Sequence, residues 1–263
     1  MLAELALRLL TPAGSMTRRL GLVSESAALW ARGLRQRRSW ADHHRRCREV
    51  VTAVVEALPS RRTVVVMGSG LMRDVSLSLL RQRFARVILV DAVHLPQIRL
   101  RAARHRNVEL LTRDLTGVMG WLGGGATGRS DPVADLVADP AIDLVLSSNL
   151  LSQLAWPVED WLDAQLDKAA AIPADLPQRC IAWHLADLRR FSCRACLISD
   201  VEAVTRDGGD KILERFDLMR GVATPPTDLR WQWPVAPLGE EGRDRAIVHE
   251  VRAWPDLHES LAK

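Results

Sequence analysis

The stretch Thr63-Val64-Val65-Val66-Met67-Gly68-Ser69-Gly70, with the run Val87-Ile88-Leu89-Val90-Asp91 behind it, decides how this chain folds. A β-branched run stopped by two glycines, then an amphipathic segment, then a second apolar run closed by an acid, reads as a βαβ unit that binds a nucleotide-like ligand. The glycines let the backbone come close to that ligand. Asp91 lies 21 residues after Gly70, and an acid about 20 residues on, at the end of the second strand, is placed to grip a pair of ribose hydroxyls.

Beyond this unit, apolar runs alternate with helical segments, the pattern of a mostly parallel sheet covered on both faces. Strands are expected at Thr63 to Met67, Val87 to Val90, Val108 to Leu111, Ile142 to Ser147 and Ala195 to Ser199. Asp114 follows the third, Ser147-Ser148-Asn149 closes the fourth and Asp200 follows the fifth. Ligands of open α/β sheets bind beyond the carboxyl ends of the strands, so these polar endings should gather around one crevice. Toward the C-terminus, Leu229-Arg230-Trp231-Gln232-Trp233 alternates and Arg245 to Arg252 forms another strand-like run, with Pro234, Pro237, Gly239 and Gly242 between them. An antiparallel hairpin on the sheet edge is expected, with Trp231 and Trp233 on one face. The segment from Gly123 to Pro132 is a loop by composition and lacks the spacing of a phosphate cradle.

Ahead of Thr63 the pattern is helical, with one apolar stripe through Ala28, Leu29, Trp30 and Leu34 and another through Val50, Val51, Val54, Val55 and Leu58. The expected organisation is an N-terminal basic helical segment, 1–60, packed on an α/β domain, 61–263.

Five strand–helix alternations, with a glycine turn after the first strand, acids after the second and third, and a closing hairpin, resemble the class I S-adenosylmethionine-dependent methyltransferases. The resemblance covers Arg62 to Trp254. It implies a Rossmann-like sheet with helices on both faces, S-adenosylmethionine as cofactor, and methyl transfer to an unidentified small-molecule acceptor. It also implies that Gly68, Ser69 and Gly70 face the methionine part of the cofactor, that Asp91 and its neighbour Ala92 meet the ribose, and that Asp114 with Leu115 meets the adenine. Asn149 and Gln153 would then lie beside the transferred methyl group. Val66 stands where the family commonly has an acid, and Met72 where it has a third glycine. Asp74, just beyond, could substitute for that acid, or could simply be an acid early in a helix, where its charge is favourable.

Those two departures motivate an alternative: a methyltransferase-like chain without catalysis, serving as a binding or scaffold protein through its Arg-rich N-terminal face. A nicotinamide-dependent oxidoreductase fits the βαβ unit alone. Arg73 in place of the dinucleotide fingerprint's third glycine, the terminal hairpin and the lack of a substrate domain stand against it.

The formal net charge of +4 is uneven. Residues 1–62 hold 12 Arg and 5 acids, leaving a net −3 for the remainder. Nucleic acid or an acidic protein could meet Arg35, Arg37, Arg38, Arg45 and Arg46, although such a run also suits the solvated faces of two helices. Four cysteines in 263 residues make no disulfide framework, so a reducing cytoplasm is the expected compartment. Glu4 and Arg8 interrupt the apolar start, which makes a poor signal peptide, and no apolar run is long enough for a membrane span.

Other candidates are read against plainer roles. Cys193 and Cys196 form a single Cys-x-x-Cys pair leading into the fifth strand and read as core thiols rather than as a zinc or redox site. His43 and His44 are adjacent, point to different sides of a helix and read as part of a solvated face, so no metal is expected. His184 is a candidate general base or a structural histidine. His94 lines the ribose or adenine pocket or begins the next helix. Trp156, Trp161 and Trp183 flank the fourth and fifth strands, where a ring could stack on a flat acceptor or pack the core.

Overall fold

The central strand β1 (Thr63–Met67) is buried along its whole length, as its unbroken apolar sequence requires in a parallel sheet covered on both faces. β2 (Arg86–Asp91) and β3 (Val108–Thr112) extend the sheet on one side. β4 (Ile142–Ser148) and β5 (Arg194–Arg206) extend it on the other, also parallel. β6 (Ile212–Asp217), β7 (Arg230–Ala236) and β8 (Ala246–Trp254) are antiparallel additions. The order is β3-β2-β1-β4-β5-β8-β7, with β6 on the second half of β5. This computed structural model describes residues 2–165 and 172–259; the remaining positions of the two expected units lie outside the described residues.

The fold class is as the sequence implies, a mainly parallel α/β sheet with a C-terminal antiparallel pair. Two features differ. β5 runs on past the expected Ser199 to Arg206, and β6 has no counterpart in the expected strands. Most of β6 is exposed, so burial leaves little pattern in its sequence; it forms because the overshoot of β5 offers an unpaired edge.

Ten α-helices are found among the described residues: α1 (Leu2–Leu10), α2 (Ser15–Arg19), α3 (Leu22–Arg35), α4 (Ala41–Glu56), α5 (Leu77–Arg83), α6 (Pro96–Ala103), α7 (Met119–Leu122), α8 (Ala134–Val137), α9 (Trp156–Ala164) and α10 (Leu176–Arg189). A 3-10 turn, Leu151–Leu154, follows β4. Ser76 caps α5 by accepting the Leu79 N–H at 3.2 Å. On one sheet face Val64 and Val66 pack with Val51, Val54 and Val55 of α4, Leu80 of α5 and Ile98 of α6. Val65 and Met67 pack on the other face with Ile181, Leu185 and Leu188 of α10. The α4 stripe is buried largely as its periodicity suggests, but α3 buries Val23, Ala27, Ala31 and Gly33 and leaves Leu34 half exposed. No helix among the described residues is long and apolar enough to cross a membrane.

The strand order reverses direction between β1 and β4, and ligands of open sheets bind at such a switch. Here the two loops touch. Gly68, at φ +67°, would put a Cβ within 2.7 Å of Leu150, so only glycine fits.

Candidate cofactor and active-site cleft

A cleft of about 560 Å³ opens at the carboxyl ends of β1, β2, β4 and β5, with Glu25, Ser26, Leu29 and Arg32 of α3 along its wall. Gly68, Ser69, Gly70, Asp91, Ala92, Asp114, Leu115, Asn149 and Gln153 all line it. Nine positions scattered over some 85 residues of sequence thus share one cavity, because each follows a strand that ends there.

At the β1–β2 end, the N–H groups of Gly68 and Ser69 both donate to the Val90 carbonyl, at 2.9 and 3.1 Å. Asp91 accepts from the Gly70 N–H at 2.7 Å and from the Val93 N–H at 3.1 Å. Desolvation raises the Asp91 carboxyl above its ordinary range, while those N–H bonds pull it back. Asp114 accepts from Thr116 N–H at 2.9 Å, the Thr116 hydroxyl at 2.5 Å and Met119 N–H at 2.8 Å, and so fixes its own loop and the start of α7. Met72 closes the glycine turn in a left-handed conformation, φ +51°, with its N–H on the Ser69 carbonyl at 3.0 Å. That is the backbone a glycine would adopt without strain.

Around β4 the polar groups form a network. Asn149, also left-handed at φ +52°, donates through Nδ2 to Asp74 at 2.8 Å. His43 lies 3.0 Å from the same Nδ2 and is fully buried, stacked on Trp233 at 4.0 Å between ring centres. The solvated helix face expected for His43 is therefore corrected: α4 turns it inward against β7, and burial pushes it down to about 4. His43, Cys47 and Asp74 are of metal-ligand type and their donor atoms lie within 4.8 Å of one another. The donor set does not suit a metal ion. Trp231 donates its indole N–H to His43 Nδ1 at 3.1 Å, and Nε2, the nitrogen facing Cys47 and Asp74, also meets the Asn149 amide nitrogen at 3.0 Å, so both ring nitrogens already have protein partners.

At the β5 end Asp200, expected in the crevice, meets two residues to which the sequence did not point, Ser152 and His249. His249 Nδ1 is 2.6 Å from Asp200 Oδ2, and the Ser152 hydroxyl donates to the other oxygen of Asp200. All three residues line the cleft. Burial raises the Asp200 carboxyl, but the bonds from His249 and Ser152 outweigh it and hold the group below its ordinary value. The carboxylate holds the His249 ring through Nδ1 and leaves Nε2 without a hydrogen-bond partner among the described residues. A bulge in β5 between Asp200 and Glu202 sets this register: Asp200 pairs with Val251, while Ala203 pairs with His249. Trp233 pairs with His249 across β7 and meets it edge to face at 5.9 Å.

His184 is elsewhere. It is buried on α10, 2.9 Å from the Ser147 hydroxyl, pushed down to about 4 by burial, and is not among the cleft residues. Of its two readings, general base or structural histidine, this placement fits the second. His94 is likewise buried and outside the cleft lining. Cys193 and Cys196 are free thiols, which burial pushes up to about 11 and about 12. Among the arginines singled out for partners, Arg35 pairs with Glu240 at 2.6 Å, Arg45 with Asp42 and Glu49, and Arg46 with Asp42 at 2.7 Å. Arg37 and Arg38 are exposed.

No family model matches the chain, and no curated protein matches it. Among solved structures it is similar to 1,6-didemethyltoxoflavin-N1-methyltransferase of Burkholderia thailandensis, solved with 1,6-didemethyltoxoflavin and S-adenosylhomocysteine. Identity is 14%, the TM-score 0.43, and the match covers 92% of this chain and 91% of that one. It is also similar to the N-methyltransferase NodS of Bradyrhizobium japonicum in complex with S-adenosylhomocysteine, at 9% identity and TM-score 0.38, over 82% and 87% of the two chains.

Proposed function

We propose that this chain is an S-adenosylmethionine-dependent methyltransferase acting on a small-molecule acceptor. One observation carries the reading. Ser69 Oγ, Arg73 Nη1, Ser148 Oγ and Asn149 Oδ1 are buried polar atoms without a hydrogen-bond partner, and all four belong to residues lining the cleft. Buried polar atoms are nearly always paired in native proteins, so such a group points to a ligand. A zwitterionic amino acid end supplies what they lack: a carboxylate for the Arg73 guanidinium and an ammonium for the Asn149 amide oxygen. Asp91 is the acceptor for ribose hydroxyls. A dinucleotide would satisfy Asp91 but brings no amino acid end.

When bound, the cofactor supplies an electrophilic methyl on sulfonium, and the protein's work is to bind, align and shield. Val66 cannot hold the cofactor's ammonium, but Asp74 lines the same cleft and is tied to Asn149, so an acid is still present. The scaffold reading has less support, because Arg35, Arg45 and Arg46 are ion-paired within the chain.

Titration calorimetry with S-adenosylhomocysteine tests the reading. Binding is expected, with at least about tenfold weaker affinity for Asp91→Ala, in line with loss of a charge-assisted hydrogen bond. No binding to the intact protein, or displacement by reduced nicotinamide cofactor, would contradict it.

A further inference from the structure

The cleft has a second chemical centre away from the glycine turn. Asp200 orients His249 through Nδ1, and Nε2 has no hydrogen-bond partner among the described residues. Trp233, edge to face with His249 at 5.9 Å, has its indole N–H buried and unpaired. Trp40, Trp156 and Trp233 line the cavity with Leu150, Leu154 and Val235. Trp156 is itself stacked on Phe216 at 5.5 Å. A free imidazole nitrogen, a free indole donor and aromatic walls make a site for a flat ring that carries an acidic proton beside an acceptor atom.

We propose that His249, positioned by Asp200, is the general base for methyl transfer, and that the acceptor is a flat aromatic molecule bearing a phenolic O–H or ring N–H. This rests on the methyltransferase reading. His249 Nε2 takes the proton from the acceptor's O–H or N–H, and the freed electron pair bonds to the methyl carbon. The carbon–sulfur pair stays on sulfur and leaves a neutral thioether. The imidazolium, held by Asp200, then returns its proton to solvent. The other ionisable groups on this side are His43, stacked on Trp233 and neutral through burial, and Asp74 with His44 beyond it at 3.3 Å from each other. Neither histidine is tied to Asp200, so neither competes for its carboxylate.

The test uses 4-nitrophenol, whose phenolate absorbs visible light and whose neutral form does not. The probe is added to the protein saturated with S-adenosylhomocysteine, at a pH below the phenol's own pKa. The parent protein is expected to raise phenolate absorbance, and His249→Gln to abolish the rise while binding S-adenosylhomocysteine within about threefold of the parent by calorimetry. With S-adenosylmethionine, methyl transfer to the probe should fall roughly 100-fold in His249→Gln, the lower range for losing a general base. Asp200→Asn, whose amide fits the same space, should lower both signals. Absence of probe ionisation in the cofactor-loaded parent, or equal rates in parent and His249→Gln, overturns the proposal. Failure of the parent to bind S-adenosylhomocysteine overturns it together with the cofactor reading, and calorimetry tells the two failures apart.

Discussion

Met72 and Asn149 hold left-handed backbone at the two loops of the switch point, φ +51° and +52°. Asparagine tolerates this region and methionine does not, so Met72 stores strain at the turn where the first motif departs from a glycine. The departure alters side-chain chemistry without altering the path of the chain. The place of Asp91 at the cleft was legible in sequence because it depends on spacing along one βαβ unit. His249 was not, because its partner lies 49 residues earlier and reaches it through a bulge that leaves no pattern in composition. The buried histidines give a direct check at this scale. His43 and His184 are held near 4 by burial, against an ordinary value of about 6.5. Between those values the unfolded chain binds the proton and the folded chain does not, so stability is full above about pH 6.5 and falls as pH drops toward 4. Each contributes about 3 kcal/mol over that window. Urea unfolding at pH 7.5, 6, 5 and 4.5 should show this decline, and His184→Gln should flatten it; a curve independent of pH would contradict the burial argument.

Arg220, just past β6, joins two elements. Its guanidinium lies 4.4 Å from the ring centres of both Trp156 and Phe216 and makes two 2.7 Å bonds to Glu159 of α9. α9 and β6 are thereby held together on the side of the cleft where Trp156 stands. The planar guanidinium stacks and makes paired bonds at once, which an ammonium cannot. Arg220→Lys is expected to cost about 1 to 2 kcal/mol in urea unfolding, since the pair is largely shielded from solvent; an unchanged midpoint would show that α9 is held by other contacts. The parallel strands and the hairpin were readable from apolar runs and turn residues. β6 was not, because an exposed strand that completes another strand's edge carries no burial signal of its own.

Across the whole molecule, the N-terminal segment closes the site rather than standing apart from it. α3 supplies part of the cleft wall, and Arg32 and Arg35 tie it to Glu241 and Glu240 in the loop between β7 and β8. The basic residues that suggested an outside partner are in good part committed to this internal clasp and to pairs along α4. The cleft then has two halves, one with a set of unpaired polar atoms and Asp91, the other with the Asp200–His249 pair and aromatic walls. The most direct measurement is a crystal structure of the protein with S-adenosylhomocysteine. The ribose hydroxyls are expected on Asp91, the amino acid end among Ser69, Arg73 and Asn149, and the sulfur directed toward the half of the cleft that holds His249. A ligand bound in the reverse direction, with its amino acid end at Asp91, or no ligand in the cleft at saturating concentration, would contradict it.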